Sequence, residues 1–317
     1  MSNEKWRAWM LHLSVILILF AAQFMLPAYH YTNAARIMIY GVFAIGYNIL
    51  LGYTGLMSLG HAMFFASGAY GAGLAVYWLG FGPLAATLTG IFSAFFASLA
   101  IGLVVLRTNG VAFLIVTLMM AQAAFLSTLY FNGITFGDQG IVLSTRPIQI
   151  FGQFLPLASP AVKYNVALAG FAISLLFSLW IVRSPIGRVM IAVRENEPRT
   201  RMLGYNTDAY RFFAVVISGT ISGFAGTLYC LLFSYVGSSY ASLQYSTLPL
   251  LWTLLGGAGT TLGPLVGTAI MFYLIDVASG FTSSYMLGVG LALLFLTLWF
   301  PQGIVGTLRQ KWLAWLP

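Results

Sequence analysis

The chain has 317 residues, of which 60% are hydrophobic and 6% charged, with a mean hydropathy of +0.91. Soluble domains carry roughly 25% charged residues, so the composition excludes a soluble globular protein and indicates a polytopic membrane protein. The net charge of +8 comes from basic residues spread over several polar intervals, a distribution that fits membrane topology and not a nucleic-acid-binding surface.

Apolar runs of spanning length predict an all-α fold of about ten transmembrane helices or half-helices. They fall at about residues 10–28, 33–52, 61–80, 83–106, 110–131, 162–182, 211–236, 246–256, 263–279 and 285–300. Lys5 and Arg7 precede the first apolar run as they would in a secretory signal. The run resumes at Phe24 without a clean small-x-small site, however, so it reads as an uncleaved first helix. The segments near 246 and 263 are short, and short or Gly-interrupted segments are often half-helices lining a cavity. Eight full spans plus re-entrant pieces is therefore the alternative count. The whole of residues 1–317 is expected to form a single membrane domain.

The basic residues give the orientation. Under the ten-span reading, Lys5, Arg7, Arg107, Arg183, Arg188, Arg194, Arg199, Arg201, Arg211, Arg309 and Lys311 lie on one side, against Arg36, Arg146 and Lys163 on the other. The side rich in Lys and Arg is cytoplasmic. Both termini and the loop at about 184–210 are then expected in the cytoplasm, and the loop at about 132–161 outside.

The cytoplasmic loop is the only long polar interval. Ser184 before Pro185 reads as an N-cap with proline at the first helical position, and Ile186, Val189, Met190 and Val193 follow at helical spacing, so a short amphipathic helix is predicted, ending near Glu197. Pro198 restarts a second short helix, Gly204 stops it, and Asn206, Thr207 or Asp208 caps the next span. On composition alone the loop is either a solvated linker or a docking element.

Two glycine clusters stand out: Gly52, Gly55 and Gly60 in one, and Gly256, Gly257, Gly259 and Gly263 in the other. They either let helices pack closely or break helices beside a translocation path, where free backbone groups solvate a polar solute. Their spacing is loosely similar, a hint of an internal repeat. Gly219-x-x-x-Gly223, Ser222-x-x-x-Gly226 and Gly263-x-x-x-Gly267 are packing signatures expected to act within the chain. The many Phe and Trp residues read as lipid-facing or interfacial. Asn48, His61 and Gln122 are polar groups in or beside the path, or else ordinary interhelical hydrogen-bond partners.

Cys230, the only cysteine, excludes an intrachain disulfide and a cysteine-based metal cluster, and His12, His30 and His61 are too scattered in sequence for a metal site. Asp276 is the one acidic residue read within a span, and it is placed near the outer interface. An ion-coupled secondary transporter would need coupling groups at midplane, which makes it the weaker alternative. There is no cluster of acids, bases or metal ligands for a membrane enzyme. No phosphate-cradling G-x-x-x-x-G-K-[ST] string is present, so ATP hydrolysis, where used, belongs to a partner chain.

The string SPIGRVMIAVRENEPRTRMLGYNTDAYRFFAVVISGTISGFAGTLY resembles the LivM-type permease family of branched-chain amino-acid ABC transporters. GYNILLGYTGLMSLGHAMFFASGAY and LLGGAGTTLGPLVGTAI resemble that family's glycine-rich membrane signatures, and GITFGDQGI resembles its external loop. The matches run in order from about Gly46 to Gly267.

The resemblance implies a non-enzymatic permease subunit of a bacterial inner-membrane importer, with a fold similar to the cobalamin-permease class. It would work by alternating access with a LivH-type permease, two cytoplasmic ATPases and a periplasmic substrate-binding protein. The chain itself would hold no cofactor or metal, the ATP lying on the partner subunits. The resemblance also assigns ATPase coupling to Arg194, Glu195, Asn196, Glu197, Arg199, Arg201 and Gly204. Branched-chain amino acids are the default substrate; urea, short amides and aromatic acids are carried by related systems. The chain departs from the pattern at Pro198, Arg199, Thr200 and Arg201, where small helix formers are common, and at Phe136, where a glycine is common.

Overall fold

The computed structural model describes residues 2–143, 148–150, 153–157, 159–281, 285–312 and 315. Arg146, part of the charge reading above, lies outside the described residues. The helices in chain order are α1 (Ser2–Ala22), α2 (Ala28–Thr54), α3 (His61–Leu79), α4 (Pro83–Val105), α5 (Val111–Tyr130), α6 (Asn132–Thr135), α7 (Pro160–Arg183), α8 (Pro185–Met202), α9 (Thr207–Phe233), α10 (Leu243–Gly256), α11 (Gly263–Phe281), α12 (Tyr285–Trp299) and α13 (Ile304–Lys311). A 3-10 turn, Ser238–Ala241, precedes α10.

Helices occupy all ten predicted positions. Seven of them, α2, α3, α4, α5, α7, α9 and α11, are long and apolar enough to cross a membrane; Trp6–Ala22 and Leu287–Leu296 are shorter apolar helices. The largest boundary difference is at the first helix, which begins at Ser2 and stops at Ala22, where 10–28 was expected. Charged residues in a first turn do not prevent a helix, whereas Pro27 enforces extended backbone before α2, where it is the N-cap.

α2 and α9 are the most buried spans, while α4, α5 and α11 present most of their surface outward. α9 packs against α2, α3 and α4 together, and small residues make this possible. A Cβ on Gly68 of α3 would lie 1.9 Å from the Gly223 carbonyl oxygen, and one on Gly223 would lie 2.0 Å from Ala94 Cβ of α4. With no hydrophobic force between helices in lipid, such close backbone approach is a main source of association. The Gly219/Gly223 and Ser222/Gly226 faces are thus used inside this chain. Phe43, Phe65, Tyr164 and Phe171 fill the main core between α2, α7 and α9. Exposed Trp6, Trp78, Trp180, Trp299 and Trp312 lie at the surface as expected, but Trp252 is buried.

Four short strands lie outside the helices: β1 (Ile141–Val142), β2 (Ile148–Ile150), β3 (Gln153–Leu155) and β4 (Tyr235–Val236). β1 pairs antiparallel with β4, Ile141 opposite Val236, and β2 pairs antiparallel with β3. The first pair ties the 132–161 loop to the end of α9, and the Ser238 hydroxyl donates to Asp138 at 3.0 Å. Phe136 has φ +59, so the position where a glycine is common does demand left-handed backbone, and here a packed aromatic occupies it, its ring 5.2 Å from that of Tyr77. Asp276, near the end of α11, accepts from the Tyr29 hydroxyl at 3.2 Å.

Candidate functional site

Two helix breaks of equal length carry the glycine clusters. α2 ends at Thr54 and α3 begins at His61; α10 ends at Gly256 and α11 begins at Gly263. In the first break Gly55, at φ +73, caps α2 by donating to the Leu51 carbonyl. The chain then runs back along α2: the Tyr47 hydroxyl donates to the Ser58 carbonyl at 2.9 Å, and the Tyr47 and His61 rings are 4.5 Å apart. Protein groups satisfy this irregular backbone. Leu59 N donates to Thr117 Oγ1 at 3.2 Å and Ala62 N to Ser246 Oγ at 3.0 Å.

The second break folds against the first. Gly259 N donates to Asn48 Oδ1 at 2.9 Å, and Asn48 Nδ2 donates to the Thr260 carbonyl at 2.9 Å. Gly257 and Gly259 have φ +120 and +78, conformations that side chains resist. A Cβ on Gly52 would lie 2.5 Å from Gly259 N, so the two breaks touch through backbone. Gly256 and Gly263 have a different task. A Cβ on Gly256 would come within 1.8 Å of the Gly263 carbonyl oxygen, so they pack α10 on α11.

The nine residues singled out for the path therefore separate. Asn48, Gly52, Gly256, Gly257, Gly259 and Gly263 come together, with Gly55 beside them, whereas Gly60 packs against the Thr117 backbone of α5 and His61 turns to α9. His61 is fully buried. Since Ser218 Oγ donates to the Gly46 carbonyl at 2.6 Å, His61 Nε2 donates to Ser218 Oγ at 2.7 Å, and Nδ1 finds no partner among the described residues. The three histidines are apart from one another. His12 Nδ1 donates to the Ala8 carbonyl and Nε2 accepts from Thr261 Oγ1, both at 2.6 Å, which ties α1 to the second break.

The polar loop reaches this junction directly. Ser184 Oγ accepts from Gly187 N at 3.2 Å, as an N-cap should. The first segment of α8 runs to Glu195, and at Asn196 the backbone leaves helical geometry with φ −159 and ψ 92. The restart thus falls at Asn196, before Pro198, because the Asn196 side chain caps the second segment by accepting from Arg199 N at 2.9 Å. Pro198 then occupies the first turn, where its missing N–H costs nothing. Gly204, at φ +90, ends the segment, and Asn206 Oδ1 caps α9 by accepting from Ala209 N at 3.2 Å.

The seven coupling residues divide by contact. Arg194 donates to the Gly52 carbonyl in the last turn of α2, a cation at a helix C-terminus. Its side chain also lies against Gly55 and Gly259. From the other side Arg309 of α13 donates to the Gly259 carbonyl at 3.0 Å. Glu197 instead faces inward: its carboxylate pairs with Arg201 at 3.2 Å and Arg211 at 3.5 Å and accepts from Thr207 Oγ1 at 3.2 Å. Arg211 is only 2% exposed and also donates to the Thr108 carbonyl at 3.2 Å. Glu195 and Arg199 are exposed.

Three open cavities of about 720, 560 and 410 Å3 surround Arg194, the largest between the second break and α13. Sequence reasoning missed Arg309, His12 and Arg211 as partners of this region. It also missed an interior tyrosine group, in which the Tyr245 hydroxyl donates to Tyr40 at 3.0 Å and the Tyr40 and Tyr229 rings stack at 5.3 Å.

Residues 31–298 match the family model described as branched-chain amino acid transport system / permease component. The chain is 28% identical over 324 residues to the high-affinity branched-chain amino acid transport system permease protein LivM of Salmonella typhimurium, covering 94% of this chain and 75% of that one. It is 28% identical over 298 residues to the protein of the same description in Escherichia coli, covering 88% and 70%. To a probable LivM permease of Methanocaldococcus jannaschii the identity is 24% over 314 residues, covering 88% and 89%.

Proposed function

The chain belongs to the branched-chain amino acid transport permease family, and from that premise we propose that it is the translocation subunit of a binding-protein-dependent ABC importer for branched-chain amino acids. Its place is the bacterial inner membrane, with both termini and α8 in the cytoplasm. A homologous LivH-type permease completes the path, two ATPases dock on α8, and a periplasmic binding protein delivers substrate. The chain carries no ATPase site of its own.

The observation that supports this reading most is the bond from Arg194 of α8 to the Gly52 carbonyl, with Gly259 against the same guanidinium. A push on α8 is transmitted through one side chain to both helix breaks. Packed side chains, hydrogen bonds and rigid elements with two arrangements carry energetic coupling between sites. Arg309 on Gly259 adds a second restraint, so the two breaks are held on the α8 side by two cations. ATP-driven movement of α8 that withdraws Arg194 releases the junction, and the path alternates between its two openings.

Reconstitution with the partner subunits tests the reading. Arg194→Ala should leave ATP hydrolysis running while uptake of radiolabelled leucine is lost. Unchanged uptake in that variant would remove α8 from the coupling route. Leucine uptake that follows an imposed ion gradient without ATP would replace the importer reading by secondary transport, and preference for urea or an aromatic acid over leucine would move the substrate class.

A further inference from the structure

The cavity of about 560 Å3 beside Arg194 is basic: Arg183, Arg188, Arg194 and Arg309 line it, and Glu195 is its only acidic residue. Tyr53 lies in its wall, 3% exposed and next to Asn48. Coupling through Arg194 and Arg309 uses one donor of each fork, on Gly52 and Gly259. A guanidinium has five N–H donors, so both retain capacity directed at a further acceptor.

We propose that this cavity binds a phosphate group, supplied by the headgroup of an anionic phospholipid of the cytoplasmic leaflet. The position favours a lipid over a free anion. The cavity opens between the last turns of two spans, α2 and α7, and the amphipathic first segment of α8, which is headgroup depth on the side where the basic residues concentrate. Val182 and Ile191 add apolar wall beside the arginines, a lining suited to the glycerol end of a lipid. The bidentate guanidinium fork matches phosphate geometry. A bound phosphate would hold α7, α8, α2 and α13 to one another and so stiffen the junction through which α8 acts. The proposal rests on α8 lying at the cytoplasmic face, but its readout is lipid retention, which does not depend on transport.

The test uses the assembled transporter purified in detergent from membranes containing phosphatidylglycerol and phosphatidylethanolamine, with retained lipid quantified by mass spectrometry. Wild type should retain phosphatidylglycerol selectively. The variant Arg183→Gln with Arg188→Gln, which leaves Arg194 and Arg309 in place, should lower that retention about 25-fold, at roughly fivefold per basic residue. The single Arg188→Gln variant, at an exposed position, guards against a folding failure in the pair and should lose about fivefold. A millimolar excess of inorganic phosphate should not displace the lipid. Displacement would make a soluble phosphate the ligand and overturn the lipid source. Equal retention of the two lipids, or equal phosphatidylglycerol retention in wild type and both variants, overturns the site. Release of the lipid whenever the partner ATPases bind would assign the arginines to those proteins and also overturn it.

Discussion

Asn48 and Gly259, 211 positions apart in sequence, are joined by a hydrogen bond of 2.9 Å from the glycine N–H to the amide oxygen, while the Asn48 amide nitrogen holds the next carbonyl, Thr260, at 2.9 Å. One side chain thus satisfies a donor and an acceptor of the opposite helix break. Asn48→Leu leaves both groups buried and unpaired, each at a cost of about 1–3 kcal/mol. Lower thermal stability in detergent and reduced uptake are expected. Asn48→Asp keeps the acceptor for Gly259 but turns an oxygen on the Thr260 carbonyl, so it should be intermediate in stability. Leu and Asp variants with wild-type melting temperatures would show that the breaks are held elsewhere.

Gly55→Leu and Gly259→Leu should impair transport more than assembly. Both positions have positive φ, which costs a side-chain-bearing residue roughly 1–2 kcal/mol. A Cβ on Gly259 would also come within 2.7 Å of Arg194 Nη1, and one on Gly55 within 3.1 Å of Arg194 Cγ. The substituted side chain therefore presses on the coupling contact itself. Gly256→Leu is the control, because its neighbour at 1.8 Å is the Gly263 backbone in a helix crossing, and it should reduce complex yield and uptake together. Uptake falling only in step with yield at Gly55 and Gly259 would reduce them to packing residues.

Topology can be measured with single cysteines. Cys230 is fully buried, and Cys230→Ser gives a background without thiols. Arg199→Cys and Gln139→Cys lie at exposed positions in the loops read as cytoplasmic and periplasmic. An impermeant thiol reagent applied to intact cells should label position 139 and spare 199 until the membrane is opened. Arg199 is the better site than Arg194, whose replacement would also cut the bond to Gly52. Labelling of 199 from outside would invert the orientation.

What could be read from the chain follows the range of the forces involved. Helix positions, the Ser184 and Asn206 caps and the stop at Gly204 are local: hydropathy, a side-chain oxygen near free N–H groups, and a residue tolerant of positive φ suffice to place them. The restart of α8 fell at Asn196 and not Pro198 because a capping side chain outcompetes the proline rule by a residue or two, both being compatible with the same turn. The glycine clusters were visible as breaks, but not that the breaks meet, since the Asn48 contacts span more than two hundred residues. Arg211 looked like one more loop charge. Only the fold shows it 2% exposed, bonded to Glu197 and Thr108.

Arg211 decides how the coupling surface should be tested. Charge reversal at Glu197 is the obvious experiment on a docking helix, yet Glu197, together with Asp208, holds Arg211 and Arg201 at the entry to α9. Glu197→Gln removes a partner of a buried cation and should cost roughly 2 kcal/mol, below the range for fully buried pairs because Glu197 is 29% exposed and Thr108 still accepts from Arg211. Glu197→Arg adds a third cation there and should fail to assemble, which would say nothing about docking. Glu195 is exposed and has no ion pair among the described residues. Glu195→Gln should therefore leave the permease folded, with unchanged melting, while weakening co-purification of the partner ATPases and lowering uptake. Truncating one member of a desolvated interfacial charge pair typically costs about 2–5 kcal/mol, enough to be read in a pull-down. Normal ATPase recovery and uptake in Glu195→Gln would leave α8 without its docking role, and the polar loop would be a linker that only reverses the chain.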